Sequence, residues 1–117
     1  MRRPIPGSDA RTSCLTELYA LEACLPFADL NTAHNRFRAR LNERHIAPLY
    51  APGAYTFTQF IALLWQRGLL EIDGVSFQPN TDAQRTSARG AKRITLTAAG
   101  AIALSELTRK AHRLRNS

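Results

Sequence analysis

The sequence has no long apolar run. Nothing in it approaches the ~18 consecutive apolar residues of a membrane-spanning helix, so no membrane partner is expected. Its opening, Met1-Arg2-Arg3-Pro4-Ile5-Pro6-Gly7, has no apolar stretch of the kind a secretory signal carries. Cysteine is scarce, with Cys14 and Cys24 the only two. On one helix the rise of ~1.5 Å per residue would separate them by ~15 Å, far beyond disulfide reach. Two unpaired thiols suit a reducing cytoplasm, where they act as small apolar side chains. The three histidines, His34, His45 and His112, are scattered, and with two distant cysteines they match no metal-ligand spacing. A glycine-rich phosphate loop, a cysteine beside a histidine and a paired set of carboxylates are all missing. Neither enzymatic activity, a metal nor any other cofactor is therefore expected. Acidic residues are also few: nine Asp and Glu face sixteen Lys and Arg, for a net charge of +7. A field of that sign favours a polyanionic partner and says nothing about fold.

What is present is enough for one compact domain. The chain has 117 residues, 44% of them hydrophobic, which is ordinary for a globular protein. Residues 1–9, with two Arg, two Pro and a Gly, read as a flexible basic arm, and residues 10–117 as a single domain. A first helix is expected from Ala10 or Ser13 to Leu25, with Leu15, Leu18, Tyr19 and Leu25 at helical spacing and Pro26 ending it. After the link Phe27-Ala28-Asp29-Leu30, Asn31 or Thr32 can cap a second helix reaching about Arg44. Its apolar stripe is Ala33, Phe37 and Leu41, and a parallel stripe carries Arg36, Arg40 and Arg44, with Arg38 to one side.

Two prolines and a glycine between Ile46 and Gly53 demand a loop. A third helix follows over about Ala54 to Arg67, with Phe57, Phe60, Ile61 and Leu64 inward and Gly68 as its C-cap. The period then changes. Leu69 to Ile72 and Val75 to Phe77 read as extended stretches around Asp73-Gly74, a tight turn or a bulge in one bent strand. Residues 78–91 are polar and turn-rich, Arg93 to Leu96 alternate as a second strand, and Thr97 caps a last helix from Ala98 to about Leu114. The expected class is mainly α with a small antiparallel β-hairpin.

The order helix, helix, helix, strand, long basic loop, strand, helix is that of a winged helix-turn-helix with an additional C-terminal helix. The wing would span about 69–96 and the last helix about 97–115. The run Phe60-Ile61-Ala62-Leu63-Leu64-Trp65-Gln66-Arg67-Gly68-Leu69-Leu70-Glu71 resembles the end of a recognition helix and the start of a wing strand. Ile94-Thr95-Leu96-Thr97-Ala98-Ala99-Gly100 resembles the close of such a wing. The pairing is similar to that of MarR-type and PadR-type transcriptional regulators, over roughly residues 54–107.

That resemblance implies double-stranded DNA as partner, with the third helix in the major groove. Base reading would fall to Tyr55, Thr58, Gln59, Ala62 and Gln66, since Gln pairs bidentately with adenine and Thr or Ala meets the thymine methyl. Phosphates would be held by Arg36, Arg38, Arg40 and Arg44 on the second helix and by Arg85, Arg89, Lys92 and Arg93 on the wing. Leu104, Leu107, Ala111 and Leu114, at 3-4-3 spacing, would form the seam of a homodimer or cover the chain's own core.

Two other readings share the same residues. Among exposed positions the third helix offers Leu63 and Trp65, with no basic residue before Arg67, which suits a surface docking a partner protein. Tyr50, Tyr55 and Trp65 could also stack on single-stranded bases or RNA. The arginine stripe is equally what a solvated helix face looks like.

Overall fold

The computed structural model describes residues 6–46, 57–77 and 90–115, with side chains for 11–46, 57–77 and 90–114. It is mainly helical. The helices are α1 (Pro6–Glu22), α2 (Leu30–Glu43), α3 (Phe57–Gln66) and α4 (Ala98–Arg115), with strands β1 (Leu70–Ile72) and β2 (Ile94–Leu96) between the last two.

Helix α1 begins at Pro6, so the helix takes in part of the segment expected as a free arm. Proline is favoured in a first helical turn because its fixed φ suits the helix and its missing N–H would be unpaired there anyway. The helix also ends before Leu25, at Glu22. The amides of Cys24 and Leu25 bond back three residues, to Leu21 and Glu22, which tightens the chain into a turn. Leu15, Leu18, Tyr19 and Leu21 are buried, as are both free thiols, Cys14 and Cys24. Burial pushes the Cys24 thiol up to about 12, with the nearby Arg36 a smaller opposing influence. Burial raises the Cys14 thiol as well. Both are therefore protonated and apolar in character.

The cap of α2 is Asp29, not Asn31 or Thr32. Asp29 has extended backbone, and its carboxylate accepts the Thr32 N–H at 2.6 Å. The expected stripe Ala33, Phe37 and Leu41 is buried. At the far end, Ile46 donates its N–H to Leu41 and His45 donates to Asn42, closing the helix with His45 in the left-handed region at φ 55. Helix α3 ends the same way. Leu69 donates to Leu64 and Gly68 to Trp65, with Gly68 at φ 79. Phe57, Ile61, Leu64 and Trp65 are buried, whereas Phe60 is only half-buried.

β1 pairs antiparallel with β2 in the register Leu70↔Leu96, Glu71↔Thr95, Ile72↔Ile94. Asp73-Gly74 makes a tight turn, both residues at positive φ, with Ile72 and Val75 exchanging backbone hydrogen bonds at 3.0 Å. That turn does not lead into β2; Val75 holds only an isolated bridge, and no strand runs to Phe77. Asp73 instead ties the end of β1 to the residues that lead into β2. Its carboxylate accepts the N–H groups of Lys92 and Arg93, and its own N–H reaches the Arg93 carbonyl at 2.7 Å. On its other edge β2 meets Ala28: Ile94 and Ala28 exchange bonds of 2.7 and 3.2 Å, and Leu30 donates to Ala91. The link before α2 is thus an extended partner of the sheet.

Thr97 caps α4 as expected, its hydroxyl accepting the Gly100 N–H at 3.0 Å. It also donates to the Gly68 carbonyl at 2.6 Å, while its N–H reaches the Leu69 carbonyl. A Cβ on Gly100 would overlap that same Leu69 carbonyl, so the start of α4 presses on the backbone leaving α3. Further along, α4 packs on α1, and the Cys14 thiol lies against the Leu107 carbonyl at 3.5 Å. Leu104, Leu107 and Ala111 pack partly buried against the chain's own core, and Leu114 is half-buried. The stripe thus meets the chain's own core while keeping part of its surface exposed. No helix among the described residues is long and apolar enough to cross a membrane.

Candidate nucleic-acid interface

Helix α3 presents a narrow polar face. Gln59 and Gln66 are exposed, Thr58 is half-buried, and Ala62 packs against the core rather than facing fully outward. Tyr55, the fifth expected base reader, lies outside the described residues. Leu63 is half-buried and Trp65 is 4% exposed, which corrects the expectation of an exposed indole. The Trp65 Nε1–H donates to the Val75 carbonyl at 2.9 Å, and its ring meets Phe77 edge-on at 5.2 Å. A buried indole needs such an acceptor, and the turn after β1 supplies it.

In the arginine stripe of α2, Arg36 and Arg44 are exposed and Arg40 is half-buried. The stripe runs along α1. The Arg36 guanidinium donates to the carbonyls of Ala23 and Leu25 at 3.2 Å and of Phe27 at 3.4 Å, gathering the turn that follows α1. Arg40 bonds Glu22 and Glu43, each at 3.0 Å, and lies 4.8 Å from the centre of the Tyr19 ring. Arg44, exposed, faces a cleft between α1 and α4. Arg38, off the stripe, is exposed and has no ion pair among the described residues.

Just before β2, Lys92 and Arg93 are exposed and their backbone is fixed by Asp73. The Arg93 guanidinium stacks 4.3 Å over the half-exposed Phe27 ring, which steers it along the sheet edge. Arg85 and Arg89 lie outside the described residues.

Beside these groups the start of α2, the start of α3 and the strand approach meet in a groove of about 390 Å³, lined by Asp29, Asn31, His34, Thr58 and Ala91. His34 stacks on Phe57, ring centres 4.6 Å apart and nearly parallel. Burial, and then the charge of Arg38, lowers the His34 pKa below its ordinary value. The imidazole is therefore neutral near pH 7, with one donor and one acceptor. Hydrogen bonding from Thr32 holds the Asp29 carboxyl below the usual range, so the cap stays ionised. Sequence reasoning missed Asn31, His34 and Phe27. Only the position of Asn31 at a helix start could have marked one of them.

Of the expected contacts, Thr58, Gln59, Gln66, Arg38, Arg44, Lys92 and Arg93 are accessible, at least in part, whereas Arg36 and Arg40 are engaged within the chain. No group of His, Cys, Asp and Glu among the described residues could hold a metal ion. Against known proteins, no family model, no curated protein and no solved structure matches the chain.

Proposed function

We propose that this chain is a sequence-specific double-stranded DNA-binding transcriptional regulator with a winged-helix fold, using α2 and α3 as its helix-turn-helix. The observation that carries the reading is the pairing around Ile94. Ala28, bridged to one edge of β2, and β1, paired with its other edge, bracket α2 and α3 along the chain, and the residues between Asp73 and Lys92 would be the wing. In that frame Gln59 and Gln66 read base edges, with Thr58 beside them, and Arg38, Lys92 and Arg93 hold phosphates. The burial of Trp65 and the packing of Ala62 favour this over a protein-docking α3, because most of the apolar surface of the helix is spent on the core. The proposal concerns one chain on one half-site.

A gel shift on duplexes selected from a random pool, repeated across salt concentrations, tests it. Affinity should fall steeply with salt. Arg38→Gln should weaken every duplex alike and reduce the salt slope by about 1. Gln59→Ala should cost about 1–3 kcal/mol on the preferred site and little on random DNA. Absence of binding to any duplex at low salt, or equal losses for Gln59→Ala on both, would overturn it.

A further inference from the structure

Four large apolar side chains among the described residues stand in water, and one of them, Phe27, has a cation over it. Phe27 is 47% exposed, and the Arg93 guanidinium carbon lies 4.3 Å from the centre of its ring. The backbone fixes both partners. Ala28 and Ile94, the next residues in the chain, form the antiparallel bridge with their side chains buried. Side chains alternate along extended chain, so Phe27 and Arg93 fall together on the outer face. There they are diagonal neighbours, a spacing at which an aromatic ring and a long side chain can meet. The Phe27 carbonyl also accepts from Arg36 at 3.4 Å, and the Arg93 N–H donates to the Asp73 carboxylate at 2.8 Å.

The acids that could draw Arg93 off the ring are engaged elsewhere. Asp73 accepts the N–H groups of Lys92 and Arg93, Asp29 accepts that of Thr32, and Arg93 has no ion pair among the described residues. Arg93 closely follows Gly90 and Ala91, which line the groove beside Thr58 of α3, so it stands on the flank of that helix. A guanidinium lying on a ring uses its face and keeps its edge, where its donors lie, for an acceptor. We propose that Phe27 is a positioning residue for DNA. Its ring holds the Arg93 guanidinium in one plane, so that the N–H fork meets two oxygens of a backbone phosphate. This role rests on the DNA-binding reading above. A free arginine loses the freedom of its long side chain on binding, whereas one already held on a ring has lost part of it beforehand. The ring reads no base, so its effect is the same on every duplex.

Two measurements on the full chain test this role. By NMR without DNA, the Arg93 Nε–H proton should be shifted upfield by the ring current. That shift should vanish in Phe27→Leu and persist in Phe27→Tyr. By fluorescence anisotropy at low salt, on a duplex selected from a random pool and on a random duplex, Phe27→Leu should weaken both about two- to fivefold. Phe27→Tyr should bind as the wild type does. In an Arg93→Gln background Phe27→Leu should cost nothing further, whereas in an Arg38→Gln background its loss should recur in full. A wild-type chain that binds no duplex would remove the DNA reading and the role of Phe27 with it. Where the wild type binds, three results would overturn the role of Phe27 alone: no upfield shift, Phe27→Leu binding as tightly as wild type, or its full loss recurring in the Arg93→Gln background.

Discussion

Two seams hold this molecule together, and they are made of different materials. Where α3 passes into β1 and α4 begins, the contacts are backbone to backbone or through one short hydroxyl. Thr97 bonds the Gly68 carbonyl, and Gly100 sits against the carbonyl of Leu69. Where α2 lies along α1, long arginine side chains make the polar contacts: Arg36 on carbonyls, Arg40 on carboxylates. Backbone groups in contact cannot retreat, so the first seam tolerates almost no change of volume. A guanidinium on a flexible stem can be lost and replaced by water, so the second seam degrades by degrees. The lesson is that a residue's charge is a poor guide to how tightly it is held.

The largest effect should come from the rigid seam. Gly100→Ala must displace either the start of α4 or the Leu69 carbonyl, and should destabilise the fold by about 3 kcal/mol in denaturant unfolding. Wild-type stability in that variant would mean the junction yields more than close packing allows. The flexible seam should respond in a graded way. Arg36→Met should cost about 1 kcal/mol, because the carbonyls that end α1 lose their charged donor. Arg40→Gln should cost less, since half-exposed ion pairs contribute at most about 1 kcal/mol, and Arg44→Gln about zero. Equal losses along the stripe would erase the distinction between its members. The smallest effect is a pH dependence at the groove. His34 has its pKa lowered by burial first and by Arg38 second, so the folded state favours the neutral ring. Its contribution to stability is therefore present above the unfolded pKa of about 6.5 and is lost as pH falls through the lower folded value. His34→Phe, which keeps a ring against Phe57, should flatten the slope of melting temperature below about pH 6.5. An unchanged slope would show that the acid sensitivity lies elsewhere.

The rigid seam was legible in the amino-acid order because its determinants are local. A glycine that must turn left-handed, a threonine that caps and a stripe at helical period are each fixed by near neighbours in the chain. Gly68, Thr97 and the Ala33–Phe37–Leu41 stripe accordingly stand where the pattern puts them. The arginine stripe also has the expected spacing, yet period alone cannot say which helix will lie beside it. The carbonyls that Arg36 meets belong to a turn that exists only once α1 has stopped short of Leu25. Trp65 was misplaced for a similar reason. Its acceptor, Val75, is brought to it by the Asp73-Gly74 turn. Asp29 displaced Asn31 as the cap because Ala28 is drawn into the sheet, which holds the chain extended until Leu30. The groove around His34 joins three segments far apart in the chain, and no single window of sequence contains it.

The pairing of Ile94 with both Ala28 and Ile72 also sets an order of events during synthesis. As the chain leaves the ribosome, α1, α2 and α3 emerge before the strand that fastens the flanks of the helix pair. Until β2 appears, Ala28 and Ile72 have no common partner, and the apolar side chains of Ile61, Leu64 and Ile72 cannot be sealed into one core with Ile94. Such late, distant closures slow folding more than local helix formation does. The sheet therefore cannot close before Ile94 has emerged, whereas the contacts of Arg36 and Arg40 with α1 and its following turn involve only residues made earlier.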